Sequence, residues 1–86
     1  MEGMVEWREE IDEINSEIME LLSRRTEVVK KVGEYKKERG IPITDIKREG
    51  VVFERIERLA EEKGVNKELA KELFEKIIKQ AKKDEE

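Results

Sequence analysis

Residues 36–49 read KKERGIPITDIKRE, and this stretch settles where one long helix stops and the next starts. Gly40 follows the last periodic residue, Arg39, and Pro42 stands two positions further on; together they stop a helix. Asp45 is a favourable N-cap for a helix beginning at Ile46. The stretch therefore reads as a helix-loop-helix corner. Lys36 lies just before it, and Asp45, Arg48 and Glu49 lie just after it. Positions i, i+3 and i+4 share a helix face. The corner can gather a lysine, an arginine, a glutamate and the free N–H groups of a helix start around one point. Such N–H groups attract anions, so the corner is read as part of a site for a small, negatively charged molecule.

Upstream, one uninterrupted helical pattern runs from Met4 to Arg39. With Met4 at heptad position a, the a positions are Met4, Ile11, Ile18, Arg25 and Val32, and the d positions are Trp7, Ile14, Leu21, Val28 and Tyr35. All but Arg25 are apolar or aromatic, the signature of a coiled-coil seam. Gly33 falls at b, off that seam. A helix of this length spans ~54 Å, too long for a small monomer to cover, so it asks for a partner along its length.

Downstream, a second pattern runs from about Ile46 to Lys63. Its stripe is Val52, Phe53, Ile56, Leu59 and Ala60, and Gly64 is its stop. Gly50 inside it costs ~1 kcal/mol relative to alanine. Asn66 caps a third pattern, from Lys67 to about Lys83, with Leu69, Ala70, Leu73, Phe74, Ile77, Ile78 and Ala81 as its stripe. The tail KKDEE is expected to fray. The expected class is all-α: one domain over residues 1–86, built of one long helix and two shorter ones.

Composition narrows the chemistry. Of 86 residues, 49% are charged and 36% hydrophobic, which suits thin amphipathic helices near the lower size limit for a self-sufficient core. Cysteine and histidine are both absent, so the chain has no thiolate and lacks the commonest general base. The net charge is −4 with acids and bases interleaved, which argues against a nucleic-acid partner. No apolar run approaches the ~20 residues of a membrane span. The start, MEGMVEW, lacks a signal peptide's basic and apolar regions, and a cytoplasmic location is expected. The high Lys, Glu and Arg content resembles a thermophile's usage.

Arg25 is the most informative single residue, because a guanidinium at an a position is costly to bury alone. It is either a register-setting or snorkelling side chain, or part of a site. Lys36, eleven residues on, returns to the same helix face ~16.5 Å away. Two long cations converging from both ends leave room for a small anion. Arg8, seventeen residues before Arg25, is ~25 Å away and rotated by ~100°. It is either a solvated charge or a contributor to the Arg25 site of an antiparallel partner. Glu9, Glu10, Asp12 and Glu13 read as a solvated face, without the ligand variety of a metal site. Ser16, Ser23 and Thr26 have no histidine to activate them.

The segments WREEIDEIN, LLSRR, EYKKERGIPITD and DIKRE, at these spacings, resemble the all-helical AroQ-class chorismate mutases over nearly the whole chain. The resemblance implies a stand-alone, cofactor-free mutase that rearranges chorismate to prephenate in aromatic amino-acid biosynthesis. It also implies an intertwined homodimer with antiparallel first helices. By resemblance, Arg8 of the partner, Arg25 and Arg48 bind the two carboxylates of chorismate. Lys36 donates to the ether oxygen and a carboxylate, and Glu49 and the Asp45 backbone hold the ring hydroxyl. Two positions depart from the pattern. Ala81 stands where many members have a small hydroxyl residue, and Glu85 where they have a glutamine that donates to the ether oxygen. An isochorismate-pyruvate lyase of the same fold and a non-catalytic helical dimerisation module are the competing readings.

Overall fold

A computed structural model describes residues 2–86. Three helices make it up: α1, Glu2–Arg39; α2, Ile46–Lys63; and α3, Lys67–Glu85. The turns between them follow the local chemistry. Gly40 takes a left-handed φ of 64°, and the Ile41 N–H donates to the Lys36 carbonyl at 2.8 Å, closing α1 in a Schellman motif. Asp45 caps α2 by accepting from the Arg48 N–H at 3.0 Å. Gly64, at φ 69°, ends α2, with the Val65 N–H on the Ala60 carbonyl at 2.9 Å. Asn66 then caps α3 by accepting from the Leu69 N–H at 3.0 Å. Across this second turn Lys67 pairs with Glu61. The Lys67 hydrogen bond, and then its charge, hold the Glu61 carboxyl below the usual carboxylate range, while Glu61 holds Lys67 above the usual lysine range. Both groups are solvated, so the pair adds little.

Helix α3 packs on both α1 and α2, which do not pack directly on each other. The result is an elongated body of 58 × 24 × 16 Å. Its α1 surface against α3 is the stripe Leu22, Arg25, Thr26, Val29, Gly33 and Lys36, whose members are buried or half-buried. The spacing of three and four residues keeps them on one face. This is a second face, beside the heptad seam. The seam itself is uncovered: all nine of its apolar or aromatic members are exposed, Trp7 at 64% and Leu21 at 57%. Among the described apolar side chains only Ala60 and Ala70 are buried.

Two expectations from the sequence change here. α3 runs through Glu85 without fraying after Lys83, because its last turn lies against α1 and Glu85 bonds to Lys36. Gly33 is off the seam as expected, but it lies under α3 and is buried.

The caps set the α2–α3 turn, so removing one should be felt. Asn66→Ala should lower stability by about 1 kcal/mol, read as a shift in the urea midpoint at fixed protein concentration. An unchanged midpoint would show that the Gly64 turn holds without the cap.

Candidate active site

Where α1, the start of α2 and the end of α3 meet, they border a half-open cavity of about 190 Å³. Its walls are Val29 and Val32 from α1, Val52 from α2, and Ile78 and Ala81 from α3. The remaining lining is charged. Arg25 and Lys36 come from α1, Arg48 and Glu49 from the first turn of α2, and Lys82 and Glu85 from the last turns of α3. Arg25 sits at an a position because that position also borders the α3-facing stripe. The guanidinium therefore opens into the cavity between helices.

The two carboxylates are matched. Glu85 Oε1 accepts from Lys36 Nζ at 2.6 Å, with side chains only 10% and 18% exposed. Glu49 pairs with Lys82 at 3.1 Å. Lys36 Nζ also donates to the Ile43 carbonyl at 2.8 Å, tying the corner loop to α1. An ammonium has three N–H groups, so Lys36 keeps one for a ligand. Among the described residues, neither Arg25 nor Arg48 makes a salt bridge within the chain. Two unpaired guanidinium forks on facing helices suit two carboxylates, since each fork matches a carboxylate edge-on.

Of the residues expected from sequence, Arg25, Lys36, Arg48, Glu49, Ala81 and Glu85 all line this cavity. Asp45 does not; its carboxylate is taken up in capping α2. Arg8 does not either. α1 is continuous from Glu2 to Arg39, so Arg8 is held ~25 Å from Arg25 of its own chain. Sequence reasoning passed over Lys82. The available signal was its position one residue after Ala81 and three before Glu85, which places all three on adjoining helix positions.

An apolar-walled cavity in an all-helical chain, lined by two arginines without salt bridges among the described residues and by two lysines, has the chemistry to hold a small anion. The chorismate mutase type II family profile matches residues 7–86. The chain is 36% identical over 78 residues to a chorismate mutase of Methanocaldococcus jannaschii, covering 91% of this chain and 79% of that protein. It is 44% identical over 62 residues to a bifunctional chorismate mutase/prephenate dehydratase of Aquifex aeolicus, covering 72% of this chain and 17% of that protein. A T-protein of Haemophilus influenzae is 28% identical over 81 residues, which make up 94% of this chain and 22% of that protein. The chain belongs to the chorismate mutase type II family. The matched region is most of the Methanocaldococcus relative and a minor part of the two longer ones.

Lys36 joins the corner, α1 and α3 through one ammonium. Lys36→Met should destabilise the fold by about 2 kcal/mol, because Glu85 is left enclosed without a partner. Hydrogen exchange of the Ile41, Ile43 and Thr44 amides should also accelerate. Native exchange rates in that loop would show that the Ile43 contact does not hold the corner.

Proposed function

We propose that this chain is a cytoplasmic chorismate mutase, converting chorismate to prephenate on the route to phenylalanine and tyrosine. The observation that carries the reading is the convergence of Arg25, Arg48 and Lys36 in one cavity with no hydroxyl or thiol side chain among its lining. The reaction asks for nothing else. It is a unimolecular rearrangement in which an ether C–O bond breaks as a C–C bond forms, with no group transferred to the protein and no proton balance to meet.

In this reading Arg25 and Arg48 hold the two carboxylates and fix the enolpyruvyl side chain over the ring, so the ends that must bond are already close. Lys36 turns its free N–H to the ether oxygen, where negative charge builds as the C–O bond stretches. Fixed positive charge between apolar walls stabilises that transition state more than the ground state. Glu49 accepts from the ring hydroxyl, and Lys82 holds the Glu49 carboxylate. Ala81 leaves one carboxylate contact unfilled.

The same reading requires a homodimer. The uncovered α1 seam supports it, since large apolar stripes on soluble domains are interaction surfaces. Antiparallel pairing of two α1 helices brings Arg8 of the partner subunit to the cavity holding Arg25. Four cations of one chain, two carboxylates and that added arginine give a cavity near +3, suited to a dianion inside an acidic protein.

The purified chain should sediment as a dimer and convert chorismate to prephenate. Arg8→Ala and Arg25→Ala should each lower kcat/KM by roughly a hundredfold or more. Unfolded and refolded together in equal amounts, the two inactive variants should regain about a quarter of native activity. Half the dimers are then mixed, and each mixed dimer has one intact site. Mixed dimers without activity would refute the shared site. Turnover of isochorismate instead of chorismate would point to the lyase, and turnover of neither to a dimerisation module.

Glu85 stands where the resemblance places a glutamine that donates to the ether oxygen. Glu85→Gln supplies that amide donor and should keep or raise kcat, read from the rate of chorismate loss. A kcat that falls to the level of Glu85→Ala would remove Glu85 from this role.

A further inference from the structure

Helices α1 and α3 approach each other closely at Gly33. A Cβ placed there would stand 2.5 Å from the Glu85 carbonyl oxygen, 2.6 Å from its Cα and 3.0 Å from its carbonyl carbon. These are all backbone atoms, so no side-chain rotation relieves the overlap. Reaching ordinary contact would move the last turn of α3 outward by about 1 Å. Gly33 is also an expensive choice for α1, since glycine is the poorest helix former after proline. Gly50, the other glycine well inside a helix, has open space around its Cα.

What the missing side chain permits lies one turn further along α1. Lys36 shares the face of Gly33, and with α3 seated on Gly33 the Glu85 carboxylate reaches Lys36 at 2.6 Å. The same last turns carry Ala81 and Lys82, and Lys82 reaches Glu49 at 3.1 Å across the cavity. A displaced α3 terminus would widen the cavity on the side that faces the ether oxygen.

We propose that Gly33 is a positioning residue: it is the seat for the last turn of α3, and that seat sets where Glu85 stands in the cavity. The kinetic part rests on the mutase reading; the structural part does not. Gly33 touches no substrate and acts through Glu85.

The test uses the full chain in four forms: native, Gly33→Ala, Glu85→Ala, and both changes together. Gly33→Ala should keep native helicity by circular dichroism and native oligomeric state. It should lower kcat by roughly ten- to a hundredfold, with KM changed less. In the Glu85→Ala background the same change should lower kcat far less, because the group it positions is gone. Gly33→Ala should also lower the melting temperature, whereas Gly50→Ala, which gains only helix propensity, should raise it. In the native protein a nuclear Overhauser contact should join the Hα protons of Gly33 and Glu85. Native kcat in Gly33→Ala or in Glu85→Ala, or losses that multiply in the double variant, would overturn the proposal. If Gly33→Ala does not fold, the contact and the Glu85→Ala rate decide: absence of the contact, or a native rate, overturns it, and presence with a lowered rate upholds it. If the native protein leaves chorismate untouched, the mutase reading falls. The seat is then judged by the contact and the sign of the melting shift alone.

Discussion

α1 is longer than the rest of the chain can cover, and every other feature answers to that. A helix of 38 residues carries two apolar stripes, and α3 covers only one of them, over the C-terminal half. The other stripe, from Met4 through Tyr35, stays exposed. With Ala60 and Ala70 as the only buried apolar side chains among the described residues, one chain buries too little to offset its conformational entropy comfortably. In the proposed homodimer a second copy laid along the seam would supply the missing burial. The same pairing would carry Arg8 to a place its own helix forbids it to reach, so stability and the completion of the site would have a single cause.

In the proposed function an acidic protein holds a dianion, which its net charge does not forbid. Net charge governs long-range behaviour, while binding depends on the charges within a few ångströms, where apolar walls reduce screening. Val29, Val32, Val52 and Ile78 supply such walls. Both cavity carboxylates are matched to lysines, and the arginines are left without partners among the described residues. In the proposed reading the lysines organise the site and the arginines grip the ligand. Lys36 does both, because an ammonium can share its protons among the corner carbonyl, Glu85 and a ligand.

α3 is the element that turns two separate helices into one site. α1 and α2 do not pack on each other, so the distance from Lys36 and Arg25 to Arg48 and Glu49 is set through α3. Its N-terminus is fixed by the Gly64–Asn66 turn and its C-terminus by the approach to Gly33. A helix held at both ends can act as a rigid spacer, which preorganised charge requires.

The sequence by itself determined the helices and most of the charged set. Gly40, Asp45, Gly64 and Asn66 mark helix ends through backbone chemistry that acts within a few residues, so those bounds were legible. Arg25 and Lys36 share a face because the helical period fixes it, and continuity of α1 alone separates Arg8 from Arg25. What only the tertiary structure decided is which face of α1 meets α3. The heptad seam is the stronger apolar signal, yet α3 sits on the neighbouring stripe, with its last turn on Gly33. That choice depends on how closely two backbones can approach, which periodicity does not encode. For the same reason Lys82 entered the site unannounced, and Glu85, expected in a frayed tail, is held at the end of an ordered helix by contacts 49 and 52 residues away in sequence.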